Sequence, residues 1–371
     1  MWDAPHTSWD AVDTKQALAG QLDDEPPKFV ARTDGVLLLY NEKVSDIHGE
    51  PESCKGWFAC YAAADVMQRG YGVVYVDFED SPKGLIRRMQ IIGVSDEVLI
   101  DAFQYVGPSQ PLTRNDTLDT WSSFHRTYLE ASRSIGLVVL DGVTQAMANQ
   151  AEGSSNSNDD IANFYRDMPR TIAKEWRCAV LLVDHITKDA GNARFAIGGQ
   201  MKLAAVDGAS FLAEVKQPFG RGREGLVTLK VAKDRPGYVR EHGGGSDGFL
   251  QHIAEVRLVS DKVTGSVTMT LQPPLDADHL MLIRMRVVCD GLQAHPGMNL
   301  TDVRAMMPGC GNSDRDKVID ELERRGYIER QKGAKNATLH SVREPLDLQQ
   351  AFFDEFPLRS TISSSPPAVS S

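Results

Sequence analysis

The chain has 371 residues, of which 42% are hydrophobic, 25% charged and 7% aromatic, a composition that excludes a wholly disordered, collagenous or disulfide-scaffold protein. Its 40 Lys and Arg against 51 Asp and Glu leave a formal charge of −11, so it does not coat nucleic acid through bulk charge. Any contact with DNA has to come from local patches or from several copies acting together.

Five cysteines with no CxxC pair favour a reducing compartment over a disulfide framework. No apolar run reaches the roughly 20 residues that span a bilayer. The opening MWDAPHTSWDAVD lacks a basic region followed by an apolar stretch, which is not the pattern of a secretory signal. The expectation is a soluble, cytoplasmic protein with no membrane partner.

Residues 1–34 are polar and broken by Pro26-Pro27, so a partly ordered lead-in is expected, with the first domain running over 31–275. VLLLY (36–40), GVVYVDFE (72–79), GLVVLD (136–141) and CAVLLVD (178–184) are near-continuous apolar runs, suited to strands buried on both faces of a parallel sheet. Helical stretches lie between them at 55–69, 82–92, about 118–133 and 159–175. Strand–helix alternation at this spacing argues for βαβ units and a three-layer α/β domain. Segments 209–216, 225–232, 249–259 and 264–271 then read as strands without intervening helices. Turn-rich PFGRGREG and HGGGSDG separate them, so they are expected to extend the sheet as antiparallel edge strands.

A second unit is expected over 279–343. His279 to Leu292 is amphipathic, Asn299 or Thr301 can cap a short helix, and Ser313 can cap another that is stopped by Gly326. Two short strands follow around Gln331-Lys332-Gly333-Ala334-Lys335. Three helices and a small hairpin is the order of a winged helix-turn-helix. The end, including STISSSPPAVSS, is low in complexity, and 352–371 is expected to be a disordered tail.

The segment GEPESCKGW, between a strand and a helix, approaches the P-loop pattern GxxxxGK[ST]. There, backbone N–H groups wrap phosphates, the lysine neutralises them and the hydroxyl helps hold Mg²⁺. Gly49 and Lys55 have the right spacing, but Cys54 stands in place of the second glycine and Gly56 in place of Ser/Thr. The nine residues Gly49, Glu50, Pro51, Glu52, Ser53, Cys54, Lys55, Gly56 and Trp57 are the candidate phosphate cradle. Alone, the match is balanced by an ordinary strand–turn–helix corner. Asp141 ends an apolar strand where a Walker B carboxylate would coordinate Mg²⁺. Glu79 lies just beyond a strand expected next to the P-loop strand, placed to polarise an attacking water. Cys54, at a helix N-terminus, is also a candidate redox-sensitive thiol.

Taken in order, GEPESCKGW, VVYVDFEDSP, LVVLDGVT, LLVDHITKD, AIGGQMKLAAVDGA and LKVAKDRPG resemble RecA-like ATPases over about residues 30–260. Within these they are most similar to RepA-type hexameric replicative helicases and related phage and actinobacterial proteins. The resemblance implies a RecA-like three-layer P-loop NTPase fold, with a mostly parallel sheet and antiparallel edge strands; the small winged helix-turn-helix domain is expected from the order of elements over 279–343. It also implies ATP and Mg²⁺ as cofactors and a homo-oligomer, expected to be a hexameric ring.

It assigns Glu79 as hydrolytic base, Asp141 as Walker B aspartate and His185 as γ-phosphate sensor. Lys233 and Arg235 become finger residues reaching the neighbouring subunit's site. Arg194 and Lys202 are then candidates for single-stranded DNA in the channel, with a solvated loop the equal alternative. In the winged unit Arg315, Lys317, Lys332 and Lys335 would touch duplex phosphates; a protein partner stays open, because Asp314, Asp316, Asp320, Glu321 and Glu323 share the helix. The expected function is an ATP-dependent DNA motor in replication. The alternatives are a nucleotide-gated DNA-binding regulator or loader with weak turnover, and a filament-forming recombinase.

Overall fold

The computed structural model describes residues 14–19, 26–114, 119–150, 157–186, 195–196, 199–274, 277–307, 311–333, 338–344 and 346. The chain divides into two compact units, Met1–Pro274 and Leu275–Ser371. The expected tail at 352–371, Arg194 and Lys335 lie outside the described residues.

In the first unit the strands are β1 (Phe29–Ala31), β2 (Leu37–Leu39), β3 (Val44–Gly49), β4 (Gly72–Asp77), β5 (Phe103–Val106), β6 (Ile135–Asp141) and β7 (Ala179–His185), followed by β8 (Ala209–Gln217), β9 (Gly225–Asp234), β10 (Ser246–Asp247), β11 (Leu250–Ser260) and β12 (Val267–Gln272). A sheet runs β5-β4-β6-β7-β3-β8 with every neighbour parallel. It continues antiparallel through β9 and β11, to which β10 and β12 pair. The apolar runs explain the parallel part. Along β6, Leu137 and Val139 enter one core while Val138 and Leu140 enter another. The first core packs under helices Lys55–Gln68 and Pro82–Ile91, and the second under Thr120–Leu129, Val143–Gln150, Asn158–Asp167 and Pro169–Trp176. These are the three layers that a sheet apolar on both faces demands.

Four expectations need correction. VLLLY does not join the parallel sheet: β2 pairs antiparallel with β1 in a separate two-stranded sheet, because the tight turn at Gly35 (φ +87°) returns the chain on itself. The polar lead-in therefore ends in core, with Phe29 and Val30 at 0% exposure. The strand that leads to Glu79, β4, is not next to the P-loop strand β3; β7 and β6 stand between them. The helix expected over 159–175 is two helices, broken at Met168 ahead of Pro169, where the ring removes an N–H and disfavours helical geometry in the preceding residue.

The second unit contains helices Ala277–Ala294, Leu300–Ala305 and Asn312–Arg324 and the strands β13 (Met298–Asn299), β14 (Ile328–Lys332) and β15 (Thr338–Val342), paired antiparallel in the order β13-β15-β14. Met285, Val288, Leu292, Val303, Ile319 and Leu322 form its core. Asn299 caps its helix, accepting from Asp302 N–H at 3.1 Å. Ser313 does not cap; that place is taken by Gly311.

Candidate nucleotide site

Strands β3, β4, β6 and β7 are parallel and end on one side, so the loops after them border one crevice, the place where open α/β sheets bind ligands. A cleft of about 550 Å³ lies there, lined by Ser53, Lys55, Asp77, Glu79, Asp141 and His185, among others. Its position on the sheet brings together four of the residues singled out from sequence: Lys55, Glu79, Asp141 and His185.

Gly49 ends β3 because nothing larger fits: a Cβ there would lie 2.6 Å from Ser53 Oγ and 2.7 Å from the Ala213 carbonyl oxygen. The turn that follows bends through left-handed backbone at Glu52 (φ 63°) and Cys54 (φ 65°), conformations that cost a non-glycine residue about 1–2 kcal/mol. Cys54 is thus the N-cap of the helix while offering it no side-chain bond. The helix N–H groups are left facing the cleft, as an anion site requires. Lys55 folds back onto the loop. Its Nζ donates to Gly49 O (3.0 Å), Glu50 O (2.7 Å) and Ser53 Oγ (3.3 Å). Burial lowers its pKa, opposed by the field of Asp141, Glu79 and Asp184.

The Cys54 thiol is not activated. Burial pushes it up to about 11 and outweighs the nearby Lys55, which favours a buried, inert thiol over a redox-sensitive one.

Asp77 ends β4 and accepts the N–H groups of both Glu79 and Asp80 at 2.9 Å, a turn that presents Glu79 to the cleft. Gly142 completes the fit: a Cβ there would lie 2.8 Å from Glu79 Cγ. Glu79 Oε1 lies 3.3 Å from His185 Nε2, both side chains about one-third exposed. Asp141 accepts from the buried Tyr75 hydroxyl at 2.5 Å. Burial raises its pKa to about 6; the Tyr75 bond opposes this, and Asp77 and Glu79 add to it.

Three lining residues were not read from the sequence. Arg88, bound to Asp80 Oδ2 at 2.7 Å, places Nη1 3.7 Å from where a Cβ of Gly56 would stand. Asp77 shapes the turn, and Phe219 closes one wall against Trp57. Arg88 and Phe219 come from segments with no motif to mark them, whereas Asp77 ends an apolar run inside VVYVDFEDSP, the same kind of signal that marks Asp141.

Other candidates lie elsewhere. Neither Lys233 nor Arg235 lines this cleft. Lys233 Nζ donates to the carbonyls of Leu203 (2.8 Å), Ala204 (3.0 Å) and Val206 (2.6 Å), satisfying the end of helix Gln200–Ala205, so its ammonium is held inside the chain. Arg235 is exposed. Lys202 is a correction: it is 2% exposed and pairs with buried Asp184 at 2.6 Å, out of reach of a DNA backbone. Asp184 also accepts from His185 N–H (2.9 Å) and Thr144 Oγ1 (3.3 Å), a node that steadies the end of β7. In the second unit Arg315 is occupied by Met307 O (3.0 Å) and Asn312 Oδ1 (3.2 Å), and Lys317 by Asp314 (3.2 Å). Lys332 is exposed on β14.

The donor set bears on a metal. Among the described residues no three His, Cys, Asp or Glu side chains converge to hold one alone, so an ion here would be shared with phosphates. That suits Mg²⁺, which typically takes one or two carboxylates, waters and phosphate oxygens. Asp141 fits this role, while Gly56 withholds the usual hydroxyl although space for it exists.

A P-loop-like strand and helix, an acid-tipped strand three places away and a second carboxylate strand between them make an open α/β sheet with its ligand crevice at these strand ends. Residues 11–191 match the family model described as an AAA domain. The chain is also similar to the DNA repair protein RadA of Brucella abortus (strain 2308), 27% identical over 246 residues, which cover 64% of this chain and 48% of that one. The chain thus spans about half the length of the curated relative it matches. Sheet order and both matches support a RecA-like P-loop ATPase. No helix among the described residues is long and apolar enough to cross a membrane.

Proposed function

We propose that this protein is an ATP-dependent DNA motor, a helicase or helicase-like translocase of replication that works as a hexameric ring. The observation that carries the reading is the convergence of Lys55, Asp141, Glu79 and His185 on one cleft. Lys55 and the helix N-terminus hold the β- and γ-phosphates. Glu79 accepts a proton from the attacking water, and His185, 3.3 Å away, links that carboxylate to the end of β7. Asp141 would hold Mg²⁺, and the ion, when bound with ATP, would offset phosphate charge. Arg235, exposed and outside its own cleft, serves as the finger to a neighbour's site.

The order of helices and strands in the second unit supports a winged helix with Lys332 on its wing. The DNA repair protein RadA supports DNA as the partner. The test is steady-state ATP hydrolysis with and without single-stranded DNA, alongside the mass of the ATP-bound assembly. Stimulation that Glu79→Gln abolishes supports the motor; hydrolysis indifferent to both overturns it.

A second reading, a nucleotide-gated regulator or loader with little turnover, is favoured by Gly56 and by the Tyr75 hydroxyl that already occupies Asp141. Tight ATP binding without hydrolysis would select it.

A further inference from the structure

We propose that Trp57 and Phe219 form a nucleobase subsite in this cleft, an aromatic platform that accepts a base by stacking and does not read its edge. The proposal rests on the nucleotide reading and adds to it the part of the ligand that the P-loop does not address.

Both rings line the same cleft as Lys55 and Glu79, and both are only half-buried. They meet edge to face, with centroids 5.4 Å apart and planes at 81°. That arrangement uses one face of one ring; both rings also rest on the first core, so a third aromatic system would meet only the surface they turn to the cleft.

Their anchoring is independent of each other. Trp57 follows Lys55 by two residues in the first turn of the P-loop helix, so the indole is fixed relative to the phosphate-binding ammonium. Phe219 sits in the turn between β8 and β9. There a Cβ on Gly225 would come within 2.5 Å of Phe219 Cβ and 2.8 Å of its Cα; the ring's backbone is thus seated on a glycine that nothing larger could replace. The Gly220–Arg223 bridge, closed by Arg223 N–H to Gly220 O at 2.9 Å, holds the turn.

The remaining lining explains why stacking would be the main recognition. Its charged members are Glu52, Lys55, Asp77, Glu79, Asp80, Arg88 and Asp141, the groups that phosphate and water chemistry use, and it contains no Asn or Gln. Ser53, its one hydroxyl residue, is turned to Lys55 at 3.3 Å. A base therefore meets π-faces without an amide to read its hydrogen-bonding edge, and every base has a π-face. Purine nucleotides are expected to bind alike, and ahead of pyrimidines only through greater stacking area. The cleft, about 550 Å³, lies in the range of small-molecule sites, roughly 300–1,000 Å³.

The test is calorimetric binding of ATP, GTP and inorganic tripolyphosphate to the full chain, compared with Phe219→Ala, Phe219→Tyr and Trp57→Phe. Phe219→Ala is expected to weaken ATP and GTP by about 5- to 100-fold, the loss of one stacked base, and to leave tripolyphosphate unchanged. Phe219→Tyr and Trp57→Phe, which keep a ring in place, should retain most of the affinity. Equal loss of ATP and tripolyphosphate in Phe219→Ala, no loss of either, or a strong preference of the unaltered chain for ATP over GTP overturns the platform. If the unaltered chain binds tripolyphosphate but gains nothing from a base, the platform fails and the phosphate site stands. If it binds neither, the nucleotide reading fails and takes this proposal with it.

Discussion

The cleft of the first unit and helix Asn312–Arg324 of the second hold similar kinds of charged residue to opposite effect. In the cleft Asp77, Glu79, Asp80 and Asp141 crowd around Lys55 and Arg88, and Asp141 is driven up to about 6 because burial leaves its charge poorly compensated. On the helix, five carboxylates and three bases are settled locally. Glu321 is bound by Arg324 and Arg325, which hold its pKa down at about 2, and Arg304 pairs with Asp316. In the cleft Arg88 pairs with Asp80, but charges gathered around a void from distant strands are not all neutralised: Asp141 is bound by a neutral hydroxyl instead of a cation. Charges spaced three and four apart on one helix neutralise each other and remain solvated. The candidate site is marked by a buried carboxylate held by a hydroxyl and not by a cation.

The largest expected effect breaks the cleft. Glu79→Gln should lower ATP turnover by about 10²- to 10⁴-fold while ATP binding persists, read by phosphate release and calorimetry on the same preparation. Unchanged turnover would place the base elsewhere.

Lys202→Met should destabilise the first unit by about 3–5 kcal/mol, because it strands buried Asp184 without its cation; the measurement is urea unfolding. Lys317→Ala, which removes an exposed pair, should move the second unit by less than about 1 kcal/mol. A similar loss at both positions would erase the contrast between the regions.

Cys54→Gly relieves a left-handed non-glycine residue and should gain about 1 kcal/mol, the strain removed less the chain entropy of glycine. Adding Gly56→Thr, into space where only Arg88 lies within 4 Å, should increase the dependence of ATP affinity on Mg²⁺. Titrating the ion against fixed ATP checks this, and an unchanged dependence would show that the hydroxyl position does not reach the metal.

The smallest effect is on pH. The folded-state pKa of Asp141, about 6, lies above the roughly 3.9 of an unfolded aspartate. Its contribution to stability is therefore complete below pH ~4 and is lost as pH rises through about 6. The ionised form needed for a metal should fade below that point, so Mg²⁺-dependent ATP binding is expected to decline as pH falls through about 6. In Asp141→Asn that dependence should be absent.

Much of the first unit was legible. The runs at 72–79, 136–141 and 178–184 are so uniformly apolar that only strands covered on both faces accommodate them, and β4, β6 and β7 lie there. VLLLY has the same character yet forms a hairpin, because a turn immediately upstream, at Gly35, supplies a partner before the sheet can. Local pattern reports that a strand is buried but not what it pairs with. Likewise Lys55, Glu79, Asp141 and His185 carry positional signals at strand ends, as Asp77 does at the end of β4, whereas Phe219 and Arg88 have none. The fates of Lys202 and Lys233 were equally illegible, since a lysine's three donors serve a buried carboxylate or a helix end as readily as a phosphate.

Residue order alone, then, determined the acidic balance, the alternation of strand and helix, the glycine and lysine of the loop and the carboxylates at strand ends. Those are properties of spacing and side-chain chemistry, which act within a few residues. Tertiary structure decided that β7 and β6 separate the P-loop strand from the strand of Glu79, that Lys202 is spent on Asp184, and that an aromatic pair flanks the phosphate loop. These depend on which segments a crossover connection brings side by side, and on how burial changes what a charge can afford to do. The net charge of −11 excluded a protein that coats DNA through bulk charge; which cations remain exposed was settled by packing.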